Sequence, residues 1–417
     1  MKRLFICLGL ALLVNLHLLG AMQTVAVLPF ANLSRNHSLR WISESFPELL
    51  QDRLRWPSLN VLGREERLIA FERIGIPYSN LLSKASLIKI GQELDSDLLV
   101  LGDFNSDGNR LWTSASVLDL HKNTLSTPLG EEGGLVDLQQ ICSRLAWQIV
   151  KSTDPSFPLS RDSFTARFSA IPNIALENYI RGLLEPDRPK QIRFFRQADK
   201  AHPNYSKAIF QLGKIYHQDK DYATSSLWLQ KLVKLDKEFP EARFMLGLNY
   251  LYLKDYEKAA IEFEQLSQDM PLNEVYTNLG VAMSLRGMND KATRAFEKAL
   301  ESDPAVADYY FNLAYHLWKT GNFAGAVKNL KEALLRDERD AEAHYLLHKC
   351  LQAIGKFTEA NTAWTLARQL NSKVEGWETR KQIPDLFRIQ SNCDESSFRQ
   401  LQLKVHAVHG NKLSARQ

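Results

Sequence analysis

Cysteine is scarce in this chain, with Cys7, Cys142, Cys350 and Cys393 and no Cys-x-x-Cys pair among them. Histidines do not cluster at metal-ligand spacing either, which disfavours a zinc site. The expectation for Cys142 and Cys350 is therefore two small buried apolar residues in helices. An excess of charge of one sign is also missing, since 52 Lys+Arg face 48 Asp+Glu. A nucleic-acid binder concentrates basic charge on one domain or stripe, so that partner class is disfavoured. The glycine-rich phosphate cradles G-x-x-x-x-G-K-[ST] and G-x-G-x-x-G after a strand are absent, which removes the common nucleotide motifs. Asp95, Asp97, Asp103 and Asp107 lie close in sequence but lack the spacing of a calcium loop. His37 has no serine or cysteine at a spacing that would suggest a nucleophile. No catalytic residue, metal or cofactor is expected, and the chain reads as a non-enzyme.

Long apolar runs are confined to one place. Lys2 and Arg3 precede an apolar run over residues 4–19, broken by Asn15 and His17 and followed by Gly20 and Ala21. A basic start, an apolar middle and a small-residue end make a signal peptide over residues 1–21. The run is short for a membrane helix, which needs about 20 residues. Export to a periplasmic location is expected, with no membrane span after signal removal. Anchoring to the inner membrane by an uncleaved signal is the alternative.

Residues 22–155 read as an α/β domain with a mixed sheet. The run TVAVLPF over residues 24–30 is apolar and β-branched, as a buried strand requires. Helices are expected over 39–56, 65–74, 85–94 and 135–151, with strands at 59–62 and 97–104. Gly108-Asn109 suggests a tight hairpin into a strand over 111–120, and residues 130–134 read as a mobile glycine loop. The stretches VAVLPFANLS, LNVLGREE and LLVLGDF resemble the amino-terminal domain of TolB and related bacterial envelope proteins. That resemblance implies a role in contacts with other envelope components, while the β-propeller that follows in TolB has no counterpart here. Residues 156–171, with Pro158 and interspersed Ser and Thr, read as an extended linker, ordered where Phe157, Phe164 and Phe168 find a surface.

From residue 172 to 374 one pattern recurs six times at spacings of 34, 34, 33, 34 and 34 residues. The units are 172–205, 206–239, 240–272, 273–306, 307–340 and 341–374. Tyr179, Gly213, Gly247, Gly280, Ala314 and His348 share the eighth position. The twentieth holds Gln191, Ser225, Ala259, Ala292, Ala326 and Ala360, and the twenty-fourth is Phe, Leu or Trp throughout. Such a period signals helical hairpins that bury their inner faces only by stacking. The large residue at the twenty-fourth position is expected to fill the gap between units. Leu246-Gly247, Tyr250, Ala259, Phe263 and Pro271 follow the tetratricopeptide repeat pattern, as do Leu279-Gly280, Ala292, Phe296, Ala299 and Pro304. The array is identified as an all-α tetratricopeptide superhelix on that resemblance. Tyr179 and Ile180 of the first unit are left to meet the α/β domain, and residues 375–417 are expected to cap the last unit.

In this kind of array the groove is lined by the first helix of each unit. Phe244, Asn278, Phe311, Asn312, Tyr315, Trp318 and Lys349 are the candidate groove residues. An asparagine amide pairs with both the N–H and the C=O of an extended peptide, and an aromatic ring adds apolar contact at little entropic cost. Acids at the second position of four units disfavour a free carboxylate as ligand. The expected function is an exported scaffold of the cell envelope that binds a protein or peptide partner in this groove. A small-molecule or nucleotide sensor in the α/β domain, relayed through the repeats, is the alternative.

Overall fold

The computed structural model describes residues 22–34, 36–56, 58–78, 82–380 and 383–393. The expected signal peptide lies outside them. The chain divides into two compact units between Tyr205 and Ser206.

The first unit is built on a mixed sheet. Strand β1 (Gln23–Val27) pairs in parallel with β3 (Leu59–Val61) on one side and β4 (Leu98–Ser106) on the other. The short β2 (Ala31–Asn32) continues this parallel pairing along β4. Strand β5 (Arg110–Asp119) returns antiparallel to β4 and carries β6 (Thr124–Leu125) and β7 (Leu129–Gly134) at its far side. β1 and its extension are apolar because both faces are covered: Val25, Ala26, Val27, Leu28 and Phe30 are all buried. The β4–β5 hairpin turns at Gly108, whose φ of +101° suits only glycine, while Asp107 Oδ1 accepts from the Asn109 and Arg110 amides.

One expectation fails here. Residues 130–134 are not a loop but strand β7, in register with β5 from Arg110↔Gly134 to Ala115↔Leu129. A strand needs only backbone amides, so a Gly-Glu-Glu-Gly-Gly run can pair without any side-chain alternation to announce it. Glu131 adds side-chain anchorage, bonding Arg144 at 2.8 Å and Arg161 at 2.6 Å.

Helices α1 (Arg40–Arg53), α2 (Arg64–Arg73), α3 (Lys84–Glu93) and α4 (Leu138–Thr153) accompany the sheet. Their apolar residues fall at three- and four-residue spacing, so Ile42, Phe46 and Leu50 of α1 and Leu138, Ile141, Cys142 and Leu145 of α4 are fully buried. Charge is buried as well: Arg67 has no exposed surface and bonds Glu44 at 3.1 Å, and Tyr78 donates to the same carboxylate at 3.0 Å. Burial pushes the Glu44 carboxyl up despite the guanidiniums of Arg67 and Arg64 beside it. The segment after α4 forms a five-residue helix α5 (Arg161–Thr165). It is held by a run of edge-on rings, Trp56 to Phe157, Phe157 to Phe164 and Phe164 to Phe168.

The first hairpin of the array, α6 (Asn173–Leu184) and α7 (Arg188–Ala201), belongs to this unit. Tyr179 donates to Glu48 of α1 at 3.3 Å, and Ile180 beside it is fully buried. A large residue is tolerated at the eighth position because the small one has moved one turn on. A Cβ on Gly182 would lie 2.6 Å from the Phe195 ring.

The second unit stacks five more hairpins: α8 (Ser206–Gln218) with α9 (Tyr222–Leu229), α10 (Phe239–Tyr252) with α11 (Tyr256–Asp269), α12 (Asn273–Leu285) with α13 (Asn289–Ser302), α14 (Ala307–Lys319) with α15 (Phe323–Arg336), and α16 (Ala341–Ala353) with α17 (Phe357–Leu370). The final helix is α18 (Lys373–Arg380). Here the expected role of the twenty-fourth position is corrected. Phe296 packs on Gly280 of its own hairpin, where a Cβ would approach the ring to 2.6 Å, and Phe263 sits on Gly247 in the same way. In these two hairpins the large ring closes the pair from within, since the bare glycine backbone lets the two helices approach around it.

Candidate functional site

The groove face belongs to the first helix of each hairpin, and its middle is occupied by the chain's own tail. Residues 383–393 run along the first helices from the later repeats toward the earlier ones. Leu386 is buried in the apolar core of the last two hairpins, and Phe387 and Ile389 pack partly buried on that of the preceding ones. Two asparagines hold the tail's backbone. Asn312 Nδ2 donates to the Arg388 carbonyl and its Oδ1 accepts from the Arg388 amide, both at 2.8 Å. Asn278 repeats the arrangement on Gln390, both bonds at 2.9 Å. Residues 388 and 390 face the same way because an extended chain alternates its sides. Both asparagines are 0% exposed, so these pairings satisfy amides shut away from water.

The aromatic candidates divide. Tyr315 donates to the Pro384 carbonyl at 3.3 Å and meets the Phe387 ring edge-on at 4.8 Å. Burial pushes its phenol up to about 12. Trp318 stacks on Tyr315 at 5.7 Å and supports it from behind. Phe311, fully buried, carries the Arg388 guanidinium 3.6 Å above its ring. Phe244 lies in the core against Phe263, edge-on at 5.8 Å. Lys349 bonds Glu378 of α18 at 3.1 Å. Glu378 also accepts from Tyr345 at 3.0 Å; burial would raise its carboxyl, but Lys349 and Tyr345 outweigh it and hold the group below the usual range.

Four residues that the sequence reading did not select shape the same stretch. Asp308 and Asp340 bond Arg388 at 2.8 and 2.5 Å, Glu342 stands 3.5 Å away, and Phe296 stacks on Phe387 at 6.0 Å. Burial alone would lower the Arg388 guanidinium; Asp340 and Asp308 outweigh it and hold it above the usual arginine range. Asp308 and Glu342 occupy the second position of their units. The acids that argued against a carboxylate ligand were thus the signal for a basic one.

No such convergence occurs at the four aspartates of the first unit. Asp97 accepts from the Thr24 amide at 2.7 Å and meets His121 at 2.6 Å, and Asp107 closes the hairpin turn. Among the described residues no group of three His, Cys, Asp or Glu side chains could hold a metal ion, and no helix is long and apolar enough to cross a membrane.

Two adjacent hairpins, residues 206–239 and 240–267, match the tetratricopeptide repeat model. These hairpins are tetratricopeptide repeats. Residues 286–364 match the model described as anaphase-promoting complex, cyclosome, subunit 3. Among curated relatives, the chain is 25% identical over 193 residues to BBSome complex member BBS4 of Bos taurus, covering 45% of this chain and 36% of that protein. It is 35% identical over 89 residues to anaphase-promoting complex subunit 3 of Schizosaccharomyces pombe, covering 21% of this chain and 13% of that one. The chain therefore spans little more than a third of these relatives at most. Among solved structures, the MamA protein aligns at 19% identity and a TM-score of 0.37, covering 41% of this chain and 93% of that one. YrrB, described as a TPR protein with an unusual peptide-binding site, aligns at 15% identity and 0.39, covering 45% and 97%. Within the array, Asn278 and Asn312 occupy the sixth position of consecutive units, so each of these two units offers one backbone clamp.

Proposed function

We propose that this protein is a non-enzymatic interaction scaffold whose array binds an extended peptide segment of a partner protein. One observation carries the reading: Asn278 and Asn312 each grip an extended backbone by donating and accepting. Backbone clamps of this kind read chain conformation, not sequence, so the tail shows the chemistry that any extended segment presenting the right side chains would meet. The tail's own hold must be weakened before a second peptide can be measured. Full-length protein carrying F387A/R388A should bind a fluorescent peptide of sequence IPDLFRIQSN saturably by anisotropy. Adding N278A/N312A should weaken that binding at least about tenfold, since each clamp supplies two hydrogen bonds of about 1 kcal/mol. A peptide that fails to bind the loosened protein, or binds it equally without the asparagines, sinks the proposal.

The setting is part of the same reading. The basic-apolar-small start of the chain supports export, and the stretches resembling TolB support an envelope partner for the α/β domain. Mass spectrometry of the protein from its native host should find a mature chain starting at Met22. A chain that retains residues 1–21 and fractionates with the cytoplasm would refute export.

A further inference from the structure

The tetratricopeptide groove, if it takes a partner peptide as proposed above, also contains a subsite for one particular side chain. Three carboxylates from two units converge on Arg388: Asp308 at 2.8 Å, Asp340 at 2.5 Å and Glu342 at 3.5 Å. Asp340 is fixed in place, because its other oxygen caps α16 by accepting from the Glu342 and Ala343 amides at 3.1 and 3.0 Å. Phe311 forms the floor, its ring 3.6 Å below the guanidinium. A planar group that stacks on a ring while donating sideways to two acids fits this shape, and a lysine ammonium does not. Three negative charges stand around one positive charge, so the pocket remains acidic with the tail in place. The preceding residue has its own seat, with Phe387 between Phe296, Tyr315 and the Lys319 ammonium, the last 5.3 Å from its ring.

We propose that the groove selects partners presenting an aromatic-arginine pair in an extended segment, and that such a segment displaces residues 386–390 of the chain's own tail. The tail belongs to the same chain as the groove, so its competition with a partner is intramolecular and does not depend on protein concentration. A partner binds the intact protein more weakly than the loosened one by the fraction of time the groove is open.

The test uses full-length F387A/R388A protein, with hydrogen exchange at residues 386–390 to read release of the tail. Three peptides are compared: IPDLFRIQSN, the same with alanine in place of arginine, and the same with lysine there. The arginine peptide should bind about tenfold or more tighter than the alanine peptide, as a charge-assisted pair does, with lysine between. Adding D308N/D340N, which keeps an amide cap on α16, should bring the three affinities together, whereas N278A should weaken all three alike. Equal binding of the arginine and alanine peptides would overturn the selectivity and leave the groove reading standing. Failure of every peptide to bind would overturn both. A tail still protected after F387A/R388A would show that this subsite does not hold it.

Discussion

At the scale of single residues, burial decides chemistry that composition leaves open. Cys142 and Cys350 are fully buried and their thiols are pushed up to about 12, while Cys393 sits half-buried at the groove. Thiolate is the reacting form, so iodoacetamide at pH 8 should modify Cys393 in the native protein and reach Cys142 and Cys350 only after denaturation. Rapid native labelling of Cys350 would contradict the burial. Histidines follow the same logic with the opposite charge. His316 bonds Ser284 at 2.8 Å and Thr293 at 3.1 Å, His348 bonds the Ala360 carbonyl at 2.9 Å, and burial lowers both imidazoles below their ordinary value. The unfolded chain takes up protons near pH 6.5, before the folded one does. The stability from these two groups is therefore complete above about pH 6.5 and is lost as pH falls toward the lowered folded values. H316Q/H348Q should melt lower at pH 7.5 yet show a shallower fall between pH 7 and 5. An unchanged slope would show that other groups set the acid sensitivity.

At the scale of elements, each hairpin of the second unit turns through one left-handed residue at its fifteenth position. Lys220, Lys254, Gly287, Gly321 and Gly355 have φ between +61° and +83° there. The next residue often caps the second helix: Asp221, Asp255 and Asn322 accept the amides of Thr224, Lys258 and Gly325. Lysine pays about 1–2 kcal/mol in this conformation and glycine gives back part of that in unfolded-state entropy. K254G should therefore raise stability by up to about 1 kcal/mol in thermal or urea unfolding, and G287K should lower it by a similar amount. A destabilised K254G would mean that the lysine side chain contributes more than its backbone costs. The helices themselves were legible because their apolar spacing is local, and so were β1, β4 and the Gly108-Asn109 hairpin. Strand β7 was not, because glycine and glutamate carry no strand pattern and its pairing with β5 rests on backbone amides. The packing of Phe296 on Gly280 was legible as a pair of positions but not as a contact, since a period does not say which helix face meets which.

At the scale of the molecule, the candidate site was half visible. Asn278, Asn312, Tyr315 and Phe311 could be chosen because hairpin periodicity assigns groove positions one repeat at a time. Their occupant could not, since Arg388 lies 76 residues from Asn312 and Gln390 lies 112 from Asn278. A backbone clamp leaves no trace in the sequence of what it holds, because every residue supplies the same N–H and C=O. The sequence by itself determined the repeat, the alternation of strands and helices before it, and the polar and aromatic lining of the groove, all products of short-range spacing. Only the tertiary structure decided that the tail folds back into that lining, with three acids from two units closing around its arginine. That choice depends on apolar burial of Leu386 and on charges far apart in the chain, which meet only once the hairpins have stacked.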